Sequence, residues 1–94
     1  MDKKNEEFFE RLKQELTDST DWPAEYLFKF IVPTQQEKVL EIENAFDQMG
    51  AVIDTTQSKT GKYTSVSINV RMSNAQSVID KYIQLSTIEG IISL

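Results

Sequence analysis

The chain contains neither cysteine nor histidine among its 94 residues. Without cysteine there can be no disulfide, no thiol nucleophile and no thiolate metal site. Without histidine the usual general base near neutral pH is missing. Prolines number two and glycines three, too few for a collagen-like or loop-dominated chain. No apolar run approaches the ~18 residues that would suggest a membrane span. Met1 to Glu7 is strongly charged and leads into an amphipathic stretch, so no signal peptide is expected and the reading is cytoplasmic. A reducing compartment also suits a chain without thiols.

Positive charge is scarce as well. The formal net charge is −5, and residues 1–47 hold 12 acids against 6 bases, whereas residues 48–94 hold 3 against 4. Nucleic-acid affinity comes largely from Lys and Arg neutralising phosphates, so an acidic chain of this kind is not expected to bind nucleic acid.

What is present is ordinary for one small folded domain: 39% hydrophobic and 27% charged residues. Phe8, Phe9, Leu12 and Leu16 make one apolar stripe and predict a helix over Asn5–Thr17. Asp18 to Asp21 breaks it, and Trp22-Pro23 leads into an extended segment. The expected division is therefore an N-terminal amphipathic helix and linker over 1–21 and a domain over 22–94. Glu25–Val32 is aromatic and β-branched and reads as a strand closed by Pro33. Thr34 with Glu37 has the spacing of a capping box for a helix carrying Val39, Leu40, Ile42, Phe46 and Met49, ended by Gly50. Ala51–Gln57 reads as a second strand, Ser58–Lys62 as a hairpin turn around Gly61, and Tyr63–Met72 as the clearest strand. There Thr64, Val66, Ile68, Val70 and Met72 alternate with Tyr63, Ser65, Ser67, Asn69 and Arg71. Ser73 with Gln76 suggests a second capping box, before a helix burying Val78, Ile79, Tyr82, Ile83 and Leu85. Gly90 precedes a short last strand, Ile91–Leu94.

The order strand, helix, strand, strand, helix, strand predicts an α+β ferredoxin-like plait: a four-stranded antiparallel sheet with two helices on one face, preceded by the extra helix. The other face of the sheet is left open.

Ser58-Lys59-Thr60-Gly61-Lys62-Tyr63-Thr64-Ser65-Val66 resembles the Ser-x-x-Gly-x-Tyr-x-Ser-Val turn of the YbeD-like family of small uncharacterised bacterial proteins. Trp22-Pro23, Tyr82, Leu85 and Ile92-Ser93-Leu94 extend the likeness over about Trp22 to Leu94. The resemblance implies a ferredoxin-like fold similar to the ACT regulatory domains, and no assigned activity. Ligand-binding ACT domains have a glycine in the turn after the first strand. Here that turn is Val32-Pro33-Thr34-Gln35, and Pro33 lacks a backbone donor.

Catalytic readings fare poorly. Ser58, Ser65 and Ser67 have no evident activating base, and serine in a turn or on a solvated strand is ordinarily structural. Glu37/Glu41 and Glu43/Asp47 stand one helical turn apart, as a hard-metal site could use, but such pairs are ordinarily a solvated face. An acylphosphatase would need an arginine in the loop after strand one, which has none. An RNA-recognition plait would stack bases on three aromatics, and only Tyr63 is offered. The expectation is a protein that is not an enzyme and uses no cofactor or metal.

What remains is the open face with its hairpin: Leu27, Lys29, Ile31, Lys59, Lys62, Tyr63, Ser65, Ser67, Asn69 and Arg71, together with Ile91. Apolar surface exposed on a small domain is usually covered or used. Its cover is expected to be the N-terminal helix, a protein partner or a second copy, which makes the domain a regulatory or interaction module. The alternative is an ACT-like sensor of a small metabolite at a dimer seam.

Overall fold

In the computed structural model, which describes residues 3–94, the sheet is built around the segment whose alternation is clearest. Tyr63–Met72 forms β3, and Ala24–Pro33 forms β1. The two pair antiparallel over their full lengths, from Ala24↔Met72 to Pro33↔Tyr63. Val52–Gln57 (β2) lies outside β3, and Ile92–Ser93 (β4) lies outside β1, giving the order β2-β3-β1-β4. Helices Gln36–Ala45 (α2) and Ala75–Leu85 (α3) supply the two crossovers, and Lys3–Ser19 (α1) precedes the whole. This is the ferredoxin-like plait with an N-terminal helix.

One face of the central strands is dry. Phe28, Phe30 and Val32 of β1 and Val66, Ile68, Val70 and Met72 of β3 are buried against Ile42, Phe46, Val78, Tyr82 and Leu85. The Phe28 ring sits between those of Phe30, Phe46 and Tyr82, at centroid distances of 6.0, 5.0 and 5.3 Å. Lys81 on α3 donates to the Ala45 carbonyl at the end of α2, and its ammonium lies 5.2 Å from the Phe46 ring centroid. The basic side chain thus satisfies a helix-end carbonyl and joins the two helices.

Neither expected capping box forms. Thr34 does not cap α2: the N-cap is Gln35, which makes no side-chain cap bond. The Thr34 hydroxyl instead meets that of Thr64 at 2.9 Å, partnering a side chain only 4% exposed. A buried hydroxyl must find a partner, and that requirement outranks a cap at an exposed helix start. Helix α2 also ends at Ala45, earlier than Gly50, and Leu40 is 47% exposed rather than core. At α3 the box is Asn74 with Ser77, one residue beyond Ser73/Gln76. Ser77 N–H donates to Asn74 Oδ1 at 2.8 Å, and Asn74 N–H donates to Ser77 Oγ at 3.3 Å. Asn74→Ala is therefore expected to cost ~1 kcal/mol in urea unfolding, with Ser73→Ala changing stability by no more than about 0.5 kcal/mol. The reverse ranking would contradict the assignment.

The first helix runs longer than its apolar stripe required and has no fully buried residue. It packs against α3, so it joins the helix layer and does not cover the open sheet. Phe9, Leu12 and Leu16 reach the core edge. At its C-terminal end Trp22 Nε1 donates to the Leu16 carbonyl at 3.1 Å. The Trp22–Pro23 peptide that follows is cis.

Candidate functional site

Register decides which side chains share the uncovered face, because residues opposite one another in an antiparallel pair point the same way. Glu25 stands beside Arg71. The next row is Val52, Asn69 and Leu27, followed by Asp54, Ser67 and Lys29, then Thr56, Ser65, Ile31 and Ile92. Tyr63 closes the face beside Pro33. The structure thus gathers Leu27, Lys29, Ile31, Tyr63, Ser65, Ser67, Asn69 and Arg71 onto one surface, as the alternation of β3 required.

Lys59 and Lys62 lie off that surface. They belong to the turn beyond the sheet end, where Ser58 N–H donates to Tyr63 O at 2.8 Å and Gly61 N–H to Ser58 O at 2.9 Å. Gly61 has φ +74°, the conformation that glycine adopts without a Cβ penalty. Both lysines are exposed.

One expected residue is replaced. Ile92, not Ile91, stands opposite Ile31 on the open face. Ile91 is half-buried against the core. With two adjacent isoleucines the alternation is ambiguous, and pairing with β1 selects between them. Local sequence does not mark Val52, Asp54 and Thr56 as members of this face, which only the pairing of β2 with β3 brings there. Val52 adjoins another apolar residue, Ile53, which hides the period of β2.

Seven large apolar side chains are exposed among the described residues, and four of them, Leu27, Val52, Tyr63 and Ile92, stand on this face. Leu27 is 57% and Val52 64% exposed. The charges of the same rows balance: Glu25 and Asp54 against Arg71 and Lys29. Apolar side chains, small hydroxyls and balanced charge thus share one face.

The turn between β1 and α2 is already occupied by the protein's own groups. Thr34 N–H donates to the Lys62 carbonyl at 2.9 Å. Behind the turn Gly90 packs so close to Pro33 that a Cβ there would lie 2.9 Å from the ring. Among the described residues no three acidic side chains gather where they could hold a metal ion, and Glu37 and Glu41 of α2 are exposed. No helix among the described residues is long and apolar enough to cross a membrane.

A second feature lies on the helix side. Helix α1, the C-terminal part of α3 and the β1/β4 edge enclose a cleft of about 810 Å³. Tyr26 and Tyr82 meet there, hydroxyl to hydroxyl, at 2.9 Å. Burial, and then the bond from Tyr26, hold the Tyr82 hydroxyl well above the ordinary phenol pKa, so it stays protonated.

No curated protein and no solved structure matches the chain. A family model does, over residues 17–94, which takes in the whole sheet and both crossover helices and leaves out nearly all of α1. With that match the chain belongs to the family described as protein of unknown function (DUF493).

Proposed function

We propose that this domain is a non-catalytic, regulatory interaction module that works through its open sheet face by binding protein, and that the first partner is the same face of a second copy. The observation carrying the reading is the concentration there of Leu27, Val52, Tyr63 and Ile92, in rows whose charges cancel. Exposed apolar patches of this kind mark interaction surfaces.

The register favours a second copy for a geometric reason. A two-fold axis running along β3 places β1 of one copy over β2 of the other, in the aligned manner of packed sheets. Within each row Leu27 then opposes Val52 of the copy, Lys29 opposes Asp54, and Ile31 opposes Thr56, while Ser67 meets Ser67. Leu27 thus meets an apolar group and Lys29 an anion, whereas Ile31 meets a hydroxyl and Arg71 lies opposite its own copy. The central rows of the face are complementary to themselves.

An ACT-like metabolite sensor at a dimer seam would share this pairing and add a ligand. The engaged Thr34 N–H and the donor-less Pro33 weigh against a ligand at that turn. The YbeD-like likeness implies no activity, and the regulatory part of the reading rests on the similarity of the fold to ACT domains.

Sedimentation equilibrium tests the reading. The wild-type chain is expected to dimerise. Leu27→Asp with Val52→Asp is expected to fold and to sediment as a monomer, because like charges opposed across an interface cost on the order of several kcal/mol. Lys29→Asp is expected to weaken pairing, and adding Asp54→Lys to restore it. A wild type that stays monomeric at millimolar concentration, or a double aspartate variant that still dimerises, would overturn the reading.

A further inference from the structure

The cleft beneath α1 is separate from the open face and from the reading built on it. Its walls are Phe8, Phe9 and Leu12 of α1, Tyr82 and Ile83 of α3, and Tyr26 of β1, with Asn5, Ser86, Thr87, Ser93 and Leu94 completing the lining. The volume, about 810 Å³, falls in the range of small-molecule sites, roughly 300–1,000 Å³. Phe8, an exposed apolar side chain that does not belong to the open face, stands at this cleft, and Leu94 at the chain's end also lines it. Of the seven, only Leu40 belongs to neither place.

Two further observations restrict what could enter. Among the described residues no charged side chain lines the cleft. An anionic ligand would lose its hydration without gaining a counter-charge from these side chains. At the apolar floor stand the two phenols, whose hydroxyls bond to each other at 2.9 Å. Each hydroxyl has one hydrogen to donate, and the mutual bond uses only one of the two. The second hydrogen remains for an acceptor entering the cleft.

We propose that the cleft between α1 and α3 is a binding site for a neutral, mainly apolar molecule bearing a hydrogen-bond acceptor, such as a medium-chain ester or amide, whose carbonyl takes the free hydrogen of the Tyr26–Tyr82 pair. Phe8, Phe9, Leu12 and Ile83 enclose the apolar body. Its outer wall is α1, nearly all of which lies outside the region matched by the family model. The site is therefore one that this chain's own N-terminal helix completes.

The test is an NMR titration of the full chain with methyl octanoate, with sodium octanoate as the charged counterpart. Saturable shifts confined to Phe9, Leu12, Tyr26, Tyr82 and their neighbours are expected with the ester, and at least ~10-fold weaker binding with the carboxylate, as an unpaired charge would have to be buried. Tyr26→Phe with Tyr82→Phe keeps both rings and removes both donors. It is expected to weaken ester binding ~3- to 10-fold, the worth of one hydrogen bond. Thr87→Trp, at an exposed position on the lining, is expected to fill the cleft and abolish binding without disturbing the core. The absence of saturable shifts up to the ester's solubility limit would overturn the proposal. Shifts centred elsewhere, octanoate binding as tightly as the ester, or unchanged affinity in the double phenylalanine variant would do the same.

Discussion

Phe28→Ala is expected to lower unfolding stability by ~3–5 kcal/mol, the cost of emptying a large aromatic site in a packed core. Phe28 is wholly buried, and its ring meets those of Tyr26, Phe30, Phe46 and Tyr82. Phe30 and Tyr26 belong to its own strand, Phe46 follows α2 and Tyr82 belongs to α3. The ring is thus a shared contact of both crossover helices with the sheet. Small domains have total stabilities on the order of 5–15 kcal/mol, so the variant should be close to unfolding. Phe28→Leu refills much of the space and is expected to recover more than half of the loss. Urea denaturation followed by circular dichroism measures both. A loss below ~1 kcal/mol for the alanine variant would mean that the aromatic cluster is not the centre of the core.

The second large effect is expected at Gly90→Ala. Its φ is +81°, a left-handed conformation, and an added Cβ would stand 2.9 Å from Pro33 Cγ and 3.1 Å from Cδ. The conformation costs ~1–2 kcal/mol for a residue with a Cβ. Overpacking against a closed proline ring adds ~1–3 kcal/mol. Together ~2–5 kcal/mol is expected. Gly50→Ala is the internal control: its φ is +71°, and nothing lies within 4 Å of the added Cβ. Only the conformational cost applies there, ~1–2 kcal/mol. Equal losses at the two glycines would remove the steric part of the explanation. Relief of the clash has to come largely from moving β4 away from β1. The Gly90 variant should accordingly lose hydrogen-exchange protection at Leu94, whose N–H donates to the Lys29 carbonyl at 2.9 Å. That movement would disturb the open face at Ile92 and the cleft at Ser93 and Leu94 together.

Strand β3 shows why much of the fold was legible. Ten residues with strict alternation leave one way to bury Val66, Ile68, Val70 and Met72, and a slip of one residue would expose all of them. Its outer residues, Ser65, Ser67, Asn69 and Arg71, follow without further information. The first strand was readable in another way, since Phe28, Phe30 and Val32 are too large to leave exposed together. A capping box is only a spacing, so Thr34 and Ser73 have the pattern without the cap. Which hydroxyl turns inward depends on what lies opposite, and Thr64 could not be known to oppose Thr34. The cleft was illegible for the same reason: Tyr26 and Tyr82 are 56 positions apart, and nothing local to either predicts that their hydroxyls meet.

By itself the sequence determined the order of elements, the inward side of the two long strands and the absence of cysteine and histidine chemistry. These properties depend on residue type and on periods of a few residues. The tertiary structure decided which isoleucine of the last strand joins the open face, that β2 brings Val52 and Asp54 alongside β3, and that α1 packs on α3 over a cleft. Each of these is fixed by pairing between segments distant in the chain, where one added hydrogen bond or one clash outweighs any local preference.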